Sequence, residues 1–198
     1  MDVPGLLEAA GLLVPEGAAT ENSITVNDVW EYLAHDEWEV ALGLLEELGD
    51  DRPLPAAFWQ SLADAAERLR LERSAAWCRW RCSETHHGVV RAELTLRPAG
   101  STFRKRPVPG PGVLRPMWDI GRRLPTGEAS LHIGGLWVEY TPSLELGERA
   151  AVRIVPLTPS QWTDVRIGQE IAMHEDRAVA ATAVVLEVRP PTVAVAGG

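Results

Sequence analysis

Four groups of residues have the types and spacing to do chemistry. Cys78, Cys82, His86 and His87 make the first. On a helix reaching position 86, Cys78, Cys82 and His86 would share one face at i, i+4 and i+8, and thiolate and imidazole are ligands that zinc accepts. A structural zinc site adds a second, distant pair, and the sequence has no other cysteine. The expectation is therefore that no metal is held and that the cysteines pack as small hydrophobes beside Trp77 and Trp80. Their spacing does not favour a disulfide. The second group, His35-Asp36-Glu37, has acid–base chemistry available, but it falls in a polar turn between helices, where three such residues are ordinarily solvated. No Gly-x-Ser-x-Gly supports a serine hydrolase. No catalytic constellation and no cofactor are expected.

The third group is basic: Arg97, Arg104, Lys105, Arg106, Arg115, Arg122 and Arg123, with Phe103 and Trp118 among them. Arginines interleaved with aromatic rings can hold RNA phosphates and bases. The competing reading docks Arg104-Lys105-Arg106 on the acidic half of the same chain. The fourth group is acidic: Glu31, Asp36, Glu37, Glu39, Glu46 and Glu47. Carboxylates so placed can stand in for phosphates against a basic partner.

The charge is split between the halves of the chain. Residues 1–88 hold 17 Asp/Glu and 6 Arg, a net of −11, and residues 89–198 hold 11 Asp/Glu and 13 Lys/Arg, a net of +2, which together give −9. The first 50 residues contain no Lys or Arg. Such asymmetry points to two modules with different partners. Met1-Asp2-Val3-Pro4 offers no basic n-region before Leu6-Leu7, and no apolar run approaches a membrane span. A soluble, cytoplasmic protein without a membrane partner is expected, with both cysteines reduced.

Two kinds of element must position these groups. A short helix is expected over 3–13. Thr25-Val26-Asn27-Asp28 reads as a capping box, opening a helix that buries Val29, Leu33 and Trp30 or Tyr32. The next starts near Glu37, with Trp38, Ala41, Leu42, Leu45 and Leu48 apolar and Gly49 as its left-handed C-terminal residue. Pro55 opens a helix presenting Phe58, Leu62, Ala65 or Ala66, and Leu69. A last helix spans about 72–83, and residues 84–88 read as a hinge. Trp30, Trp38, Trp59, Trp77 and Trp80 fall at buried phases, with one or two free to serve a partner.

At Val89 the period changes to two, with Val90, Ala92, Leu94 and Leu96 on one face. Pro98–Gly112 is a long loop, Gly134-Gly135 a hairpin turn, and 147–188 the organising stretch of the second half. Strands are expected at 150–155, at Val165–Gly168, at Ile171–His174, and at Val179–Val188, the last buried on both sides. A polar corner falls at Glu175-Asp176-Arg177. About six short strands over a hundred residues suit a compact barrel. The fold class is thus α+β in two segregated modules: an acidic helical bundle over 1–86, an antiparallel β-barrel over 87–190, and a flexible tail over 191–198.

Three features resemble the third, C-terminal barrel domain of elongation factor Tu. They are the strand Val90–Leu96 with its arginine-containing loop, the segment Gly112-Val113-Leu114-Arg115-Pro116 leading to Trp118, and Gly147-Glu148 followed by 150–155 and Ile171–Val185. The resemblance covers about 100 residues and implies the barrel and a face able to hold tRNA. It departs at Glu175-Asp176-Arg177, Ala181 and Ala183, where the family is glycine-rich. No Gly-x-x-x-x-Gly-Lys-Ser/Thr phosphate loop is present, so GTP hydrolysis does not follow. The run Val29–Leu42 resembles the small acidic immunity proteins of the MafI type over about 60 residues, which implies a basic partner such as a toxin. The leading expectation is a non-catalytic protein-binding module whose acidic half occludes such a partner. The alternative is a translation-associated RNA binder acting through the barrel loop.

Overall fold

The computed structural model describes residues 1–50, 52–102, 104–176 and 178–192. Phe103, placed above among the arginines, Arg177 of the polar corner, and the tail from 193 onward lie outside the described residues. The chain is α+β with its elements segregated. Five helices, α1 (Val3–Gly11), α2 (Val26–Ala34), α3 (Trp38–Asp50), α4 (Ala56–Arg68) and α5 (Glu72–His87), precede a closed six-strand antiparallel barrel. Contacts divide it into two compact units: Met1–His86, joined by Thr192 from the far end of the chain, and His87–Pro191. Thr192 is fixed by its N–H, which donates to the Thr85 carbonyl at 2.9 Å.

In the helical unit the apolar stripes meet as their spacing requires. Ala41, Leu42, Leu45 and Leu48 of α3 and Phe58, Leu62, Ala65 and Ala66 of α4 are fully buried, with Leu7 and Ala10 of α1 among them. The expected capping box starts α2: the Thr25 amide donates to Asp28 Oδ2 at 2.7 Å and the Thr25 hydroxyl at 2.8 Å. The amide bond is the main reason that the Asp28 carboxyl lies below its usual range.

Two boundaries differ from the sequence reading. Gly49 is not a left-handed terminus but lies inside α3, beneath Trp59, where an added Cβ would stand 2.5 Å from the indole. Nor does α5 stop at 83; residues 84–87, read as a hinge, are helical. The extra turn is held because Trp80 Nε1 donates to Glu84 at 2.8 Å, the Arg81 guanidinium lies 3.0 Å from the same carboxylate, and the Thr85 hydroxyl donates to the Cys82 carbonyl at 2.7 Å. The chain turns instead at Gly88, whose φ of 77° and close approach to the Arg189 carbonyl exclude a side chain.

The barrel strands are β1 (Val89–Leu96), β3 (Met117–Arg123), β4 (Ala129–Val138), β6 (Arg149–Pro156), β7 (Glu170–Glu175) and β8 (Ala178–Arg189), in ring order β1-β6-β4-β3-β7-β8. The short ribbon β2 (Val108–Pro109) pairs with β5 (Ser143–Leu144) outside the ring, and Val108 and Leu144 join the barrel core. The ring closes where β8 pairs with β1, from Val89↔Arg189 to Leu96↔Ala181. Closure removes free strand edges. Val90, Ala92, Leu94 and Leu96 point inward as expected, and they meet Trp118, Leu136, Ile154, Met173 and Ala183 in a filled core.

Three strand expectations are corrected. Gly134-Gly135 is no turn: β4 runs straight through it and changes partner there, pairing with β3 up to Ile133 and with β6 from Gly134. Glycine is needed at 134 because a Cβ would lie 2.9 Å from Ile154, 3.2 Å from Trp162 and 3.3 Å from Trp118. Val165–Gly168 is a loop rather than a strand, and with the short 3₁₀ turn at Pro159–Gln161 it brings Trp162 and Val165 into the core. β8 is buried on one face only; Ala181, Ala183 and Val185 point inward while Val184 and Leu186 are exposed, as a single-layer barrel dictates. No helix among the described residues is long and apolar enough to cross a membrane.

Gly134→Ala is expected to destabilise the barrel by about 1–3 kcal/mol, since the indoles of Trp118 and Trp162 cannot both give way. Chemical denaturation followed by tryptophan fluorescence measures this, and an unchanged midpoint would remove the crowding argument.

Candidate functional site

The best-formed candidate is the corner between α2 and α3. After Ala34 the chain reverses in three residues. His35 Nδ1 lies 2.8 Å from the Glu31 carbonyl, Asp36 adopts a left-handed φ of 60°, and the Glu37 amide donates to the Tyr32 carbonyl at 3.0 Å. Aspartate tolerates that conformation because its side chain is short and polar. The reversal leaves Asp36, Glu37 and Glu39 exposed, with exposed Glu31 one turn behind. Tyr32 and Val40 lie among them, 38% and 40% exposed. The surface is therefore anionic with two apolar contacts in it. His35, Asp36 and Glu37 are all exposed.

The other two acids do not join this surface. Glu46 is half-buried and faces α5, where the Cys78 thiol donates to it at 3.3 Å. Burial pushes its carboxyl above the usual range, opposed by that hydrogen bond. Glu47 accepts from Asn22 at 3.1 Å. The acidic set thus divides into four residues at the corner and two committed to neighbouring segments.

Cys78, Cys82 and His86 do lie on one face of the continuous α5, but they are not arranged as ligands. Burial, reinforced by the negative Glu46, pushes the Cys78 thiol up. Burial also pushes Cys82 up, and its sulfur faces the Ala56 carbonyl at 3.8 Å. His86 is exposed. Among the described residues no three His, Cys, Asp or Glu side chains come together to hold a metal. Of the tryptophans, Trp59 and Trp80 are buried, and Trp30, Trp38 and Trp77 are half-buried.

The basic residues are divided between the two ends of the barrel. Met117 of β3 pairs with His174 beside the β7–β8 turn, while Arg123 at the other end of β3 pairs with Ala129 across the β3–β4 turn. Arg115 precedes Met117, and the Arg97 amide donates to Ala180 near the start of β8, so both belong to the first end. Arg104 joins them through Glu175, and its remaining donors go to the Arg106 and Pro107 carbonyls. Arg122 and Arg123 sit at the opposite end, paired with Asp164 at 2.7 Å and Asp119 at 2.9 Å. Lys105 and Arg106 are exposed, as are Arg97 and Arg115. Five of the seven cations thus gather toward the β7–β8 end and two lie at the other, and Arg104, Arg122 and Arg123 are engaged by carboxylates of the barrel itself.

Sequence reasoning passed over two buried charge clusters. Arg81, 3% exposed, lies 4.3 Å above the Trp59 ring and donates to Asp50 Oδ1 at 2.7 Å and to the Gly49 carbonyl at 2.9 Å. In the barrel, buried Glu139 accepts from Arg153 at 3.1 Å and from Arg91 at 3.2 Å. Both oxygens of Glu139 are thus held by guanidinium groups, which marks a structural ion cluster and not a general base. The partners are far apart in sequence, so no local spacing signals either cluster. No family model matches the chain, and a search of curated proteins finds no match.

Glu46 yields a pH test. Its folded-state carboxyl holds the proton more tightly than the unfolded one, so ionisation costs stability above the folded value, and the cost disappears as pH falls below the unfolded value. Glu46→Gln should melt higher than the parent at neutral pH, with the gap closing toward acid. A gap independent of pH would show that the carboxylate carries no such cost.

Proposed function

We propose that this chain is a non-catalytic protein-binding module whose acidic helical half occludes a basic partner, in the manner of the immunity-type proteins it resembles. The observation that carries the reading is the α2–α3 corner. Four exposed carboxylates, Glu31, Asp36, Glu37 and Glu39, share this short segment with exposed Tyr32 and Val40, and the first 50 residues contain no Lys or Arg. Anionic rims steer cationic surfaces and speed encounter, while apolar residues within the rim slow dissociation. Nucleic acid is repelled by such a field. The barrel, resembling the third domain of elongation factor Tu, serves in this reading as a platform. The RNA reading loses Arg104, Arg122 and Arg123 to carboxylates of the barrel and keeps exposed Arg97, Lys105, Arg106 and Arg115.

The test uses a lysine-rich helical peptide as the basic probe, with association followed at low and at physiological salt. Replacing Asp36, Glu37 and Glu39 together by Ala should slow association about ten-fold at low salt and flatten its salt dependence. An unchanged on-rate would sink the proposal. Tight tRNA binding lost on changing Lys105 and Arg106 would transfer the function to the barrel.

A further inference from the structure

The surface continues across α2. On the side of α2 away from Tyr32, Gly11 of α1 carries no side chain and the Trp30 indole lies on it; an added Cβ would stand 2.6 Å from the ring. Leu12, the next residue, is 78% exposed. Exposed Glu8 lies one turn before it, exposed Glu16 follows it, and exposed Ala34 lies one turn beyond Trp30. Leu12, next to the Gly11 on which Trp30 lies, therefore offers a second apolar seat on the side of α2 opposite Tyr32, and Glu31 falls between Trp30 and Tyr32 around the helix.

We infer that one amphipathic, cationic helix of a partner protein crosses α2 and uses both seats. The inference rests on the proposed function and specifies the partner's recognition element. An α-helix with its side chains is about 10 Å across, so seats on either side of α2 are separated by roughly that distance. Residues i and i+7 of a crossing helix rise about 10.5 Å, which matches. Large aliphatic residues two turns apart fill the seats, and lysines or arginines between them meet Glu31, with further cations toward Glu8 and Asp36. Helix-in-groove recognition works through such spaced anchors. A second copy of this chain is the wrong occupant, because it would set one carboxylate-rich surface against another.

The test titrates the full chain with two fluorescently labelled helical peptides of identical composition. One carries leucines two turns apart on one face among lysines; the other has the same leucines dispersed around the helix. The ordered peptide should bind about ten-fold tighter by anisotropy. Leu12→Gln should erase that preference while leaving weaker, salt-sensitive binding; its exposure lets the variant fold, which an unchanged melting temperature verifies. Equal binding of the two peptides, or a preference that survives Leu12→Gln, overturns the inference while the acidic-surface reading stands. Failure of both peptides to bind at low salt overturns both. Sedimentation showing a dimer that Leu12→Gln dissociates assigns the seat to a second copy and overturns it as well.

Discussion

Both modules bury a charge, and each is built to meet it. In the helical unit the charge is Arg81, in the barrel Glu139. A buried ion left without partners costs several kcal/mol, so the surrounding backbone must deliver acceptors or donors to a fixed place. Arg81 draws the C-terminal turn of α3 toward α5 through Gly49 and Asp50, and stacks on Trp59 from α4. Three helices meet at one guanidinium. Gly49 has to be glycine because that same Trp59 lies on it. Glu139 gathers Arg91 of β1 and Arg153 of β6 just past the end of β4. These contacts set which turns and strands are adjacent, beyond what apolar burial alone specifies.

With the interior charges matched, the surface charges are free to act on partners. The helical unit carries its cations on the later part of its sequence, and of these Arg52 and Arg68 reach back to the Ala19 and Met1 carbonyls. The barrel's arginines are largely met by its own acids, as at Arg104, Arg122 and Arg123. An unneutralised surface steers partners over distances near the Debye length, about 8 Å at physiological salt, whereas a paired one does not.

Much of the fold was legible because its signals are local. The change of period at Val89 marks the module boundary, and the Thr25–Asp28 box marks the start of α2. The corner acids Asp36, Glu37 and Glu39 are readable as a polar break between two apolar stripes. What misled were signals whose meaning depends on distant residues. Gly49 and Gly134-Gly135 carry turn chemistry in the sequence, yet Gly49 is glycine because the Trp59 indole packs on it, and Gly134 because Ile154, Trp162 and Trp118 crowd it. Glu46 reads like its acidic neighbours, and only the packing of α5 turns it into a buried carboxyl bonded to Cys78.

By itself the sequence determined the two modules, the helical and strand periods, the acidic character of the first 50 residues and the lack of a phosphate loop. These follow from composition and from spacing within a single element, where backbone geometry alone sets which residues share a face. The tertiary structure decided which acids face solvent, where β4 changes partner, which arginines are neutralised, and that Leu12 and Trp30 sit beside α2. Those outcomes depend on contacts between segments tens of residues apart, and the cost of burying a charge or crowding an indole appears only once the chain has closed on itself.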